Sequence, residues 1–453
     1  MTAPKVELKR DLGMWSAAAI VVGTVIGSGI FIVPNTMTQR VGSPAMVFVV
    51  WIAGGLLSLS GALSYAELSA AMPGAGGEYV YLRAAYGRLW SFIYGWTQMW
   101  VAKSGSIATL ATAFFLYFAN FFPDVQQAVA RIPLPSGAGL EITLAQVLAM
   151  LLILFLGGVN YFGVKLGGRV QVIVTICKVG LISFVILIGL FSGHAGFSNF
   201  QTSVPVTGGI VAFFAAMRGA LWAYDGWNNV SMVASEIRNP QRNLPLALIW
   251  GTTAVIGIYL LANLAYFLVM PAPEIATSNL VAADMMRKIM GNAGADAVAI
   301  AAMISIFAAL NGSILSGSRV PYAMACDGLF FRDVAKVHPH YHTPAVSIAA
   351  LTAWSALLVF SGSYEQLFTY VIFASWILYG MTTAAVFVLR RKHPEMPRPY
   401  RTFGYPWVPA LFVMVATALL VSTLIDSPSE SLKGLGLIFL GLPFYYRWRN
   451  RGV

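Results

Sequence analysis

Long apolar runs recur along the whole chain, and short polar segments between them hold most of the charge. An α-helix rises 1.5 Å per residue, so about 20 apolar residues cross a bilayer, whereas a barrel strand needs only about 10. The pattern predicts an all-α membrane protein with twelve transmembrane helices, at 12–36, 44–70, 88–120, 144–162, 169–192, 207–234, 244–270, 296–325, 344–361, 365–390, 406–425 and 430–447.

Composition and charge agree with this prediction. The 453 residues are 58% hydrophobic and only 10% charged, where a soluble chain carries about 25% charge. With the N-terminus in the cytoplasm, twenty of the 28 Lys and Arg residues fall in cytoplasmic segments, five fall outside and three lie within spans. This asymmetry follows the positive-inside rule. The net charge of +11 therefore reflects membrane topology, and we expect contact with the lipid bilayer and not with nucleic acid.

The chain lacks the motifs of common catalytic and metal centres. It has no CxxC pair, no HExxH and no phosphate-binding glycine loop with its lysine. His338, His340 and His342 alternate in a cytoplasmic loop, a pattern that suits a solvated loop better than a metal site. We therefore expect a protein that is not an enzyme and that uses no metal or cofactor.

Two spans carry residues that interrupt a helix near its middle. The stretch "AAAIVVGTVIGSGIFIVP" (17–34) contains Gly23, Gly27 and Gly29, and "RGALWAYDGWNNV" (218–230) combines Gly, Asp and Asn. The first alone also fits close helix packing through GxxxG. Interruptions in spans one and six together indicate a transporter with inverted repeats. We expect a cytoplasmic N-terminus at 1–11, five-helix repeats at 12–193 and 207–391, two further helices at 406–447 and a cytoplasmic tail at 448–453.

An interrupted helix exposes the chemistry that an α-amino acid needs. The half-helix that begins after the interruption presents unpaired amide N–H groups and a positive dipole end, and the half that ends before it presents carbonyls. A carboxylate and an ammonium group a few ångströms apart satisfy both sets. Glycine allows a ligand to approach the main chain closely, since it has no Cβ. The interruptions therefore predict a binding site for an amino acid.

Several motifs, in order and spacing, resemble the amino acid–polyamine–organocation superfamily and within it the L-amino-acid transporter family. They are "VGTVIGSGIF", "VNYFGVKLGGRVQ", "LWAYDGWNN", "EIRNPQRNLPLAL", "NGSILSGSR" and "HPEMPRPYR". The likeness covers roughly residues 10 to 425. It implies a LeuT-type fold with a 5+5 inverted repeat, two extra C-terminal helices, broken helices 1 and 6, and alternating access.

The resemblance also implies a set of substrate-binding residues. The amides of Gly27, Ser28 and Gly29 would hold the substrate carboxylate. Carbonyls near Val25 and Trp222 would hold the ammonium, and Trp222 would also close the site as a lid. Ordinary helix packing remains the alternative for each aromatic residue, most strongly for Trp376. The substrate-binding positions are Val25, Ile26, Gly27, Ser28, Gly29, Trp222, Ala223, Asp225, Asn228, Ser375 and Trp376.

Charged residues within spans are expensive and point to function. Lys178 matches a span-five lysine of the family, which implies that its ammonium replaces the sodium ion of sodium-coupled relatives and joins the broken first helix to Ser313. Asp225 has two interpretations. It faces the substrate and accepts a cationic group, or it neutralises Lys103 or Arg218, and three span cations against one carboxylate favour the second role.

The expected function is sodium-independent exchange or facilitated transport of mainly neutral L-amino acids across the bacterial inner membrane. Alternatives are proton symport with Lys178 as the titrating group, an exchanger that accepts cationic amino acids, and a receptor that binds without transport. Animal members of the family link to a heavy chain through a cysteine after span three. Residues 121–143 contain no cysteine, so we expect no disulfide-linked heavy chain and a monomer or weak homo-oligomer.

Overall fold

The structure, a computed structural model, describes residues 8–133, 139–361, 364–426 and 428–449. Helices make up most of it. The first part of the chain forms α1 (Met14–Val25), α2 (Gly29–Val41), α3 (Pro44–Ala71), α4 (Glu78–Tyr86), α5 (Arg88–Thr97), α6 (Lys103–Phe118), β1 (Ala128–Pro133), β2 (Gly139–Thr143), α7 (Leu144–Tyr161) and α8 (Val164–Phe191).

The second part is helical throughout. Its helices are α9 (Gly209–Ala223), α10 (Asn229–Met232), α11 (Pro240–Val269), α12 (Ala272–Thr277), α13 (Val281–Met290), α14 (Asn292–Gly317), α15 (Arg319–Cys326), α16 (Ala345–Leu358), α17 (Tyr364–Lys392), α18 (Trp407–Asp426), α19 (Pro428–Phe439) and α20 (Leu442–Arg449). Short 3₁₀ turns connect several of them, and a π-helical turn at Gln98–Ala102 joins α5 to α6.

The helices have the lengths and compositions of membrane spans. Among the described residues, eight helical segments are long and apolar enough to cross a bilayer, while α9 and α16 are apolar but shorter. The prediction of a mostly helical membrane protein is confirmed. The count of twelve spans and the boundaries of the two repeats stay predictions.

Burial separates central spans from peripheral ones. The most apolar windows of Met14–Val41, Arg88–Phe118 and Asn292–Cys326 are each 78% buried, against 33% for Val164–Phe191 and 28% for Trp407–Ile425. In a bilayer the exposed apolar side chains face lipid. The first, third and eighth predicted spans therefore form the middle of the bundle.

Helix α8 shows how sequence pattern positions a peripheral span. Gln171, Thr175 and Lys178 are buried on one face, at the i, i+4, i+7 spacing of a helical stripe, while Ile176 on another face is 67% exposed. The side chains of Gln171 and Thr175 donate to the carbonyl of Ala19, at 3.3 and 3.2 Å. These bonds hold the polar face of α8 against α1.

Two interruptions of helical geometry meet inside the bundle. Helix α1 ends at Val25 and α2 begins at Gly29, while α9 ends at Ala223 and α10 begins at Asn229. Gly226 lies between the latter two with φ +109°, a conformation that side chains with a Cβ rarely adopt. The Thr24 hydroxyl donates to the Gly226 carbonyl at 2.8 Å, which joins the two interruptions directly.

One element departs from the prediction of an all-α chain. Strands β1 and β2 pair antiparallel in the loop after α6, with Arg131 opposite Glu141 and a 3.1 Å ion pair between their side chains. The segment is too short to compete with the apolar runs as a sequence signal. Its alternation of polar and apolar residues nevertheless suits a two-stranded ribbon.

A buried ion pair ties the end of the α10 region to α15. Arg319 and Glu236 are both fully buried, and the guanidinium meets the carboxylate through two bonds of 2.7 and 3.0 Å. The backbone of Leu12 binds the same segment at two points. The Leu12 carbonyl accepts from the Arg238 amide at 2.8 Å, and the Leu12 amide donates to the Glu236 carbonyl at 3.0 Å. Arg319 thus lies in the protein interior.

Candidate functional site

A small cavity of about 30 Å³ lies where the two interruptions face each other. Helices α6 and α14 complete its wall. Half of the lining residues carry a polar or charged side chain, a composition unlike that of an ordinary apolar core. The lining residues are Thr24, Val25, Gly27, Ser28, Gly29, Lys103, Ser106, Leu110, Trp222, Ala223, Asp225, Gly226, Asn229 and Ser313.

The first interruption forms part of the cavity wall, at Gly27, Ser28 and Gly29. Within the described part of the chain, the backbone N–H groups of Gly27 and Gly29 donate no hydrogen bond to another protein group. They lie at the N-terminus of α2, where the helix dipole is positive. Buried amides without partners are rare because each costs free energy. Such donors at a cavity wall suit an anionic ligand group.

Gly27 and Gly29 differ in their surroundings, a difference that the sequence pattern does not predict. A Cβ on Gly29 would lie 2.7 Å from the Cα of Ala223, so this glycine allows the two interruptions to touch. The nearest atoms to a Cβ on Gly27 would belong to Leu110 at 3.6 Å, Ala309 at 3.8 Å and the Val25 carbonyl at 3.9 Å, all ordinary contacts. Gly29 is therefore required for packing, whereas Gly27 has room beside it.

The carbonyl groups of the interruptions are held by side chains from neighbouring helices. The Tyr259 hydroxyl in α11 lies 3.0 Å from the Val25 carbonyl and 2.8 Å from the Ala223 carbonyl, so one phenol bridges the ends of α1 and α9. Each carbonyl oxygen has two lone pairs and can accept a second bond. Both oxygens therefore keep capacity for a further donor.

Lys178 reaches the first interruption from α8. Its ammonium donates to the Gly23 carbonyl at 2.8 Å and also to the Ile26 carbonyl, and the residue is fully buried. The Ile26 carbonyl also accepts a hydrogen bond from the Ser305 hydroxyl of α14, at 2.9 Å. Ser313 lies about two turns further along α14 and lines the cavity instead. No hydrogen bond joins it to Lys178 within the described residues.

Two opposite charges lie in the cavity wall. The Lys103 ammonium donates to the Asn229 side-chain oxygen at 2.6 Å, and the Tyr379 hydroxyl donates to Asp225 at 2.8 Å. Lys103 and Asp225 interact electrostatically, but no direct ion pair joins them among the described contacts. Lys103 follows the π-helical turn. A Cβ on Gly317 would overlap the aliphatic part of the Lys103 side chain, so this glycine leaves the space that the lysine occupies.

Glu78 is a buried acid, although its position between two predicted spans indicates a loop residue. It is fully buried at the start of α4 and accepts from Asn228, from the Tyr94 hydroxyl at 2.9 Å and from the Ser231 hydroxyl at 3.4 Å. Burial raises the pKa of the Glu78 carboxyl, and the bonds from Asn228 and Tyr94 act in the opposite direction. Asn228 therefore anchors the second interruption to α4 and does not itself line the cavity.

The aromatic residues of the predicted site divide into two groups. Trp222 is buried and lines the cavity. Trp376 is buried and stacks on Phe412 at 5.5 Å between ring centroids, and its neighbour Ser375 is also buried without lining the cavity. Among the side chains of α17 that the structure describes, Tyr379 reaches the site, through its bond to Asp225. The roles expected of Ser375 and Trp376 stay predictions.

Comparison with known proteins gives matches along nearly the whole chain. The serine/threonine exchanger SteT of Bacillus subtilis strain 168 is 32% identical over 450 residues, which cover 98% of each chain. The b(0,+)-type amino acid transporter 1 of Mus musculus is 32% identical, over 97% of this chain and 88% of its own. The cystine/glutamate transporter of Homo sapiens is 31% identical, over 98% and 86%.

A family model agrees with these relatives. The model described as amino acid permease matches residues 12–439, which includes both interruptions and every residue that lines the cavity. The resemblance read from the sequence motifs is confirmed. The chain therefore belongs to the amino acid permease family.

Proposed function

We propose that this multi-pass membrane protein exchanges mainly neutral L-amino acids across the bacterial inner membrane, without sodium, by alternating access. The observation that carries the proposal is the cavity between the two interruptions, with the amides of Gly27 and Gly29 on one side and carbonyl ends on the other. The substrate carboxylate binds the amides, and its ammonium binds the spare lone pairs of the Val25 and Ala223 carbonyls.

The proposal includes a membrane topology for the helices. Twelve spans form two inverted five-helix repeats with two extra helices, and both termini lie in the cytoplasm. Trp222 closes the cavity on the outer side. The contact between Leu12 and the Glu236–Arg238 segment closes the cytoplasmic side, because it fixes the chain that follows the second interruption. Transport then requires the two contacts to open in turn.

The names of the relatives include substrates of different kinds: serine and threonine, cystine and glutamate, and, for a mouse relative 32% identical to this chain, large neutral amino acids. These names support amino acid exchange for this chain. The names do not indicate which side chains this protein accepts. The proposed preference for neutral side chains therefore rests on the composition of the cavity wall. Lys103 and Asp225 together leave its side-chain wall without a net charge.

Exchange is tested with purified protein in liposomes. We expect labelled serine or alanine to enter several-fold faster when the vesicles contain unlabelled amino acid, and we expect replacement of sodium by choline to change nothing. Empty vesicles and vesicles without protein are the controls. Uptake that ignores internal amino acid but follows an imposed pH gradient would contradict exchange.

Proton symport is the second candidate, and Glu78 favours it. This carboxyl is fully buried, burial raises its pKa, and its partners Asn228 and Ser231 belong to the second interruption. A proton taken up there would change the bonds that hold α10. The pH-gradient arm of the liposome experiment separates this function from exchange.

The difference between the two glycines gives a direct test of the binding site. We expect Gly27→Ala to keep native thermal stability but to weaken amino acid binding at least about tenfold, because a methyl group there would occupy space beside the proposed carboxylate donors. Gly29→Ala serves as the matched comparison. We expect it to lower stability by about 1–3 kcal/mol, because its Cβ would overlap backbone atoms of Ala223.

The measurement is thermal unfolding of each variant with and without amino acid, since a ligand that binds the folded state raises its Tm. Native affinity in Gly27→Ala would show that the substrate does not approach this part of the main chain.

A further inference from the structure

Lys103 and Asp225 are charged groups that the fold holds beside each other without pairing them. Lys103 is only 6% exposed, and both residues line the cavity. Each charge is bound to a neutral partner, Lys103 to the Asn229 amide oxygen and Asp225 to the Tyr379 hydroxyl. A direct ion pair would be the simpler way to bury two opposite charges. The wall therefore keeps a cation and an anion available to the cavity.

Both groups keep unused hydrogen-bonding capacity. An ammonium group has three N–H donors, and the described protein contacts of Lys103 use one, with Asn229. A carboxylate has about four acceptor positions. The Asp225 carboxylate accepts from the Tyr379 hydroxyl at 2.8 Å, so acceptor positions remain. The cavity wall thus contains both a strong donor and a strong acceptor.

We propose that this wall selects amino acids whose side chain both donates and accepts a hydrogen bond, that is, a hydroxyl or a carboxamide. The inference rests on the proposed exchange function and specifies its substrate class. A hydroxyl accepts from Lys103 and donates to Asp225, and both charges keep their present neutral partners. The hydroxyls of Ser106 and Ser313 on the adjoining wall extend the polar surface.

Other classes of substrate side chain match this cavity wall less well. An aliphatic side chain covers both charges and satisfies neither. A cationic side chain meets Asp225 but repels Lys103, and an acidic side chain has the reverse conflict. Because buried charges lose their hydration, each such mismatch disfavours binding of the wrong substrate.

The test compares substrates of equal shape in the native protein. Threonine and valine are nearly isosteric, and asparagine and leucine form a second pair. We measure inhibition of labelled serine exchange by each amino acid, with arginine and glutamate as charged competitors. We expect threonine to bind at least about tenfold more tightly than valine, and asparagine at least about tenfold more tightly than leucine, because each apolar partner leaves buried polar groups unsatisfied.

Substitutions at Lys103 and Asp225 test whether these two residues cause the preference for threonine over valine. In Lys103→Met/Asp225→Asn we expect the threonine-to-valine ratio to fall to within about threefold of unity while valine still binds. Lys433→Met, which removes an exposed lysine, is the control and should keep the native ratio. Asp225→Asn alone should retain part of the preference, because a carboxamide still accepts a bond.

The outcomes separate this inference from the proposed function. Equal binding of threonine and valine by the native protein would overturn the inference, even if every variant failed to fold, and exchange of neutral amino acids would still stand. An unchanged ratio in the folded double variant would also overturn it. If no amino acid binds or moves, both the exchange function and this inference fall.

Discussion

Replacing Lys178 with alanine is expected to lower the rate of amino acid exchange by about 10- to 100-fold with little change in substrate affinity. The ammonium binds the carbonyls of Gly23 and Ile26, at the end of α1, and it does not line the cavity. Loss of a hydrogen bond to a charged group in a buried site costs about 1.5–3 kcal/mol. We expect that loss to disturb the movement of the first helix more than the binding of substrate.

Ile176→Ala is the matched control, since Ile176 lies on the same helix but faces outward, 67% exposed. Initial rates in liposomes report transport, and the ligand-induced shift in Tm reports binding. Because the lysine supplies a fixed positive charge, the native rate should not change when choline replaces sodium. A strict sodium requirement, or a loss of binding as large as the loss of rate, would refute the role of Lys178 as an ion substitute.

The features that the sequence predicted well are those with a local signal. Apolar runs identify spans because every backbone group in lipid must be paired within the segment. Gly27 and Gly29 stand out since glycine weakens a helix, and Lys178 stands out since a lysine within a span is costly. The structure brings all three to one interruption, and the family assignment made from these motifs is confirmed.

The contacts that sequence reasoning missed have no local signal. Tyr259 and Ser305 are ordinary residues of helix interiors, and they matter only because they meet carbonyls more than 200 residues away. Glu78 follows a glycine-rich turn and resembles any polar loop residue until α10 is packed against it. A single sequence specifies which helices form, but long-range partners depend on how those helices pack.

Asp225 is another residue whose partners cannot be determined from the sequence alone. The sequence offered a choice between a structural partner for a span cation and a substrate contact. In the structure its carboxylate lies in the cavity wall near Lys103, yet its hydrogen bond comes from Tyr379 of a distant helix. The charge-balance argument named Lys103 or Arg218 as the partner, and the role of Asp225 stays a prediction. The structure places Lys103 in the same cavity wall without a direct ion pair among the described contacts.

Breaking the buried ion pair between Glu236 and Arg319 is expected to destabilise the protein by about 3–5 kcal/mol. Both side chains are fully buried, and the guanidinium also donates to the Leu315 carbonyl at 2.6 Å and to Ser318 at 2.9 Å. In Glu236→Gln the arginine keeps these two bonds but loses its counter-charge inside the protein. The cost arises from that uncompensated charge, so it should exceed the cost of removing any solvated ion pair.

A double variant distinguishes this cause from general damage to the fold. Replacing both members with apolar residues, Glu236→Leu/Arg319→Met, leaves no buried charge and should recover most of the stability that Glu236→Gln loses. Lys336→Met, which removes one partner of an ion pair 71% exposed on both sides, should change stability by less than about 1 kcal/mol. Thermal unfolding in detergent measures all three. A double variant less stable than the single one would show that the pair is needed for its geometry and not merely for charge balance.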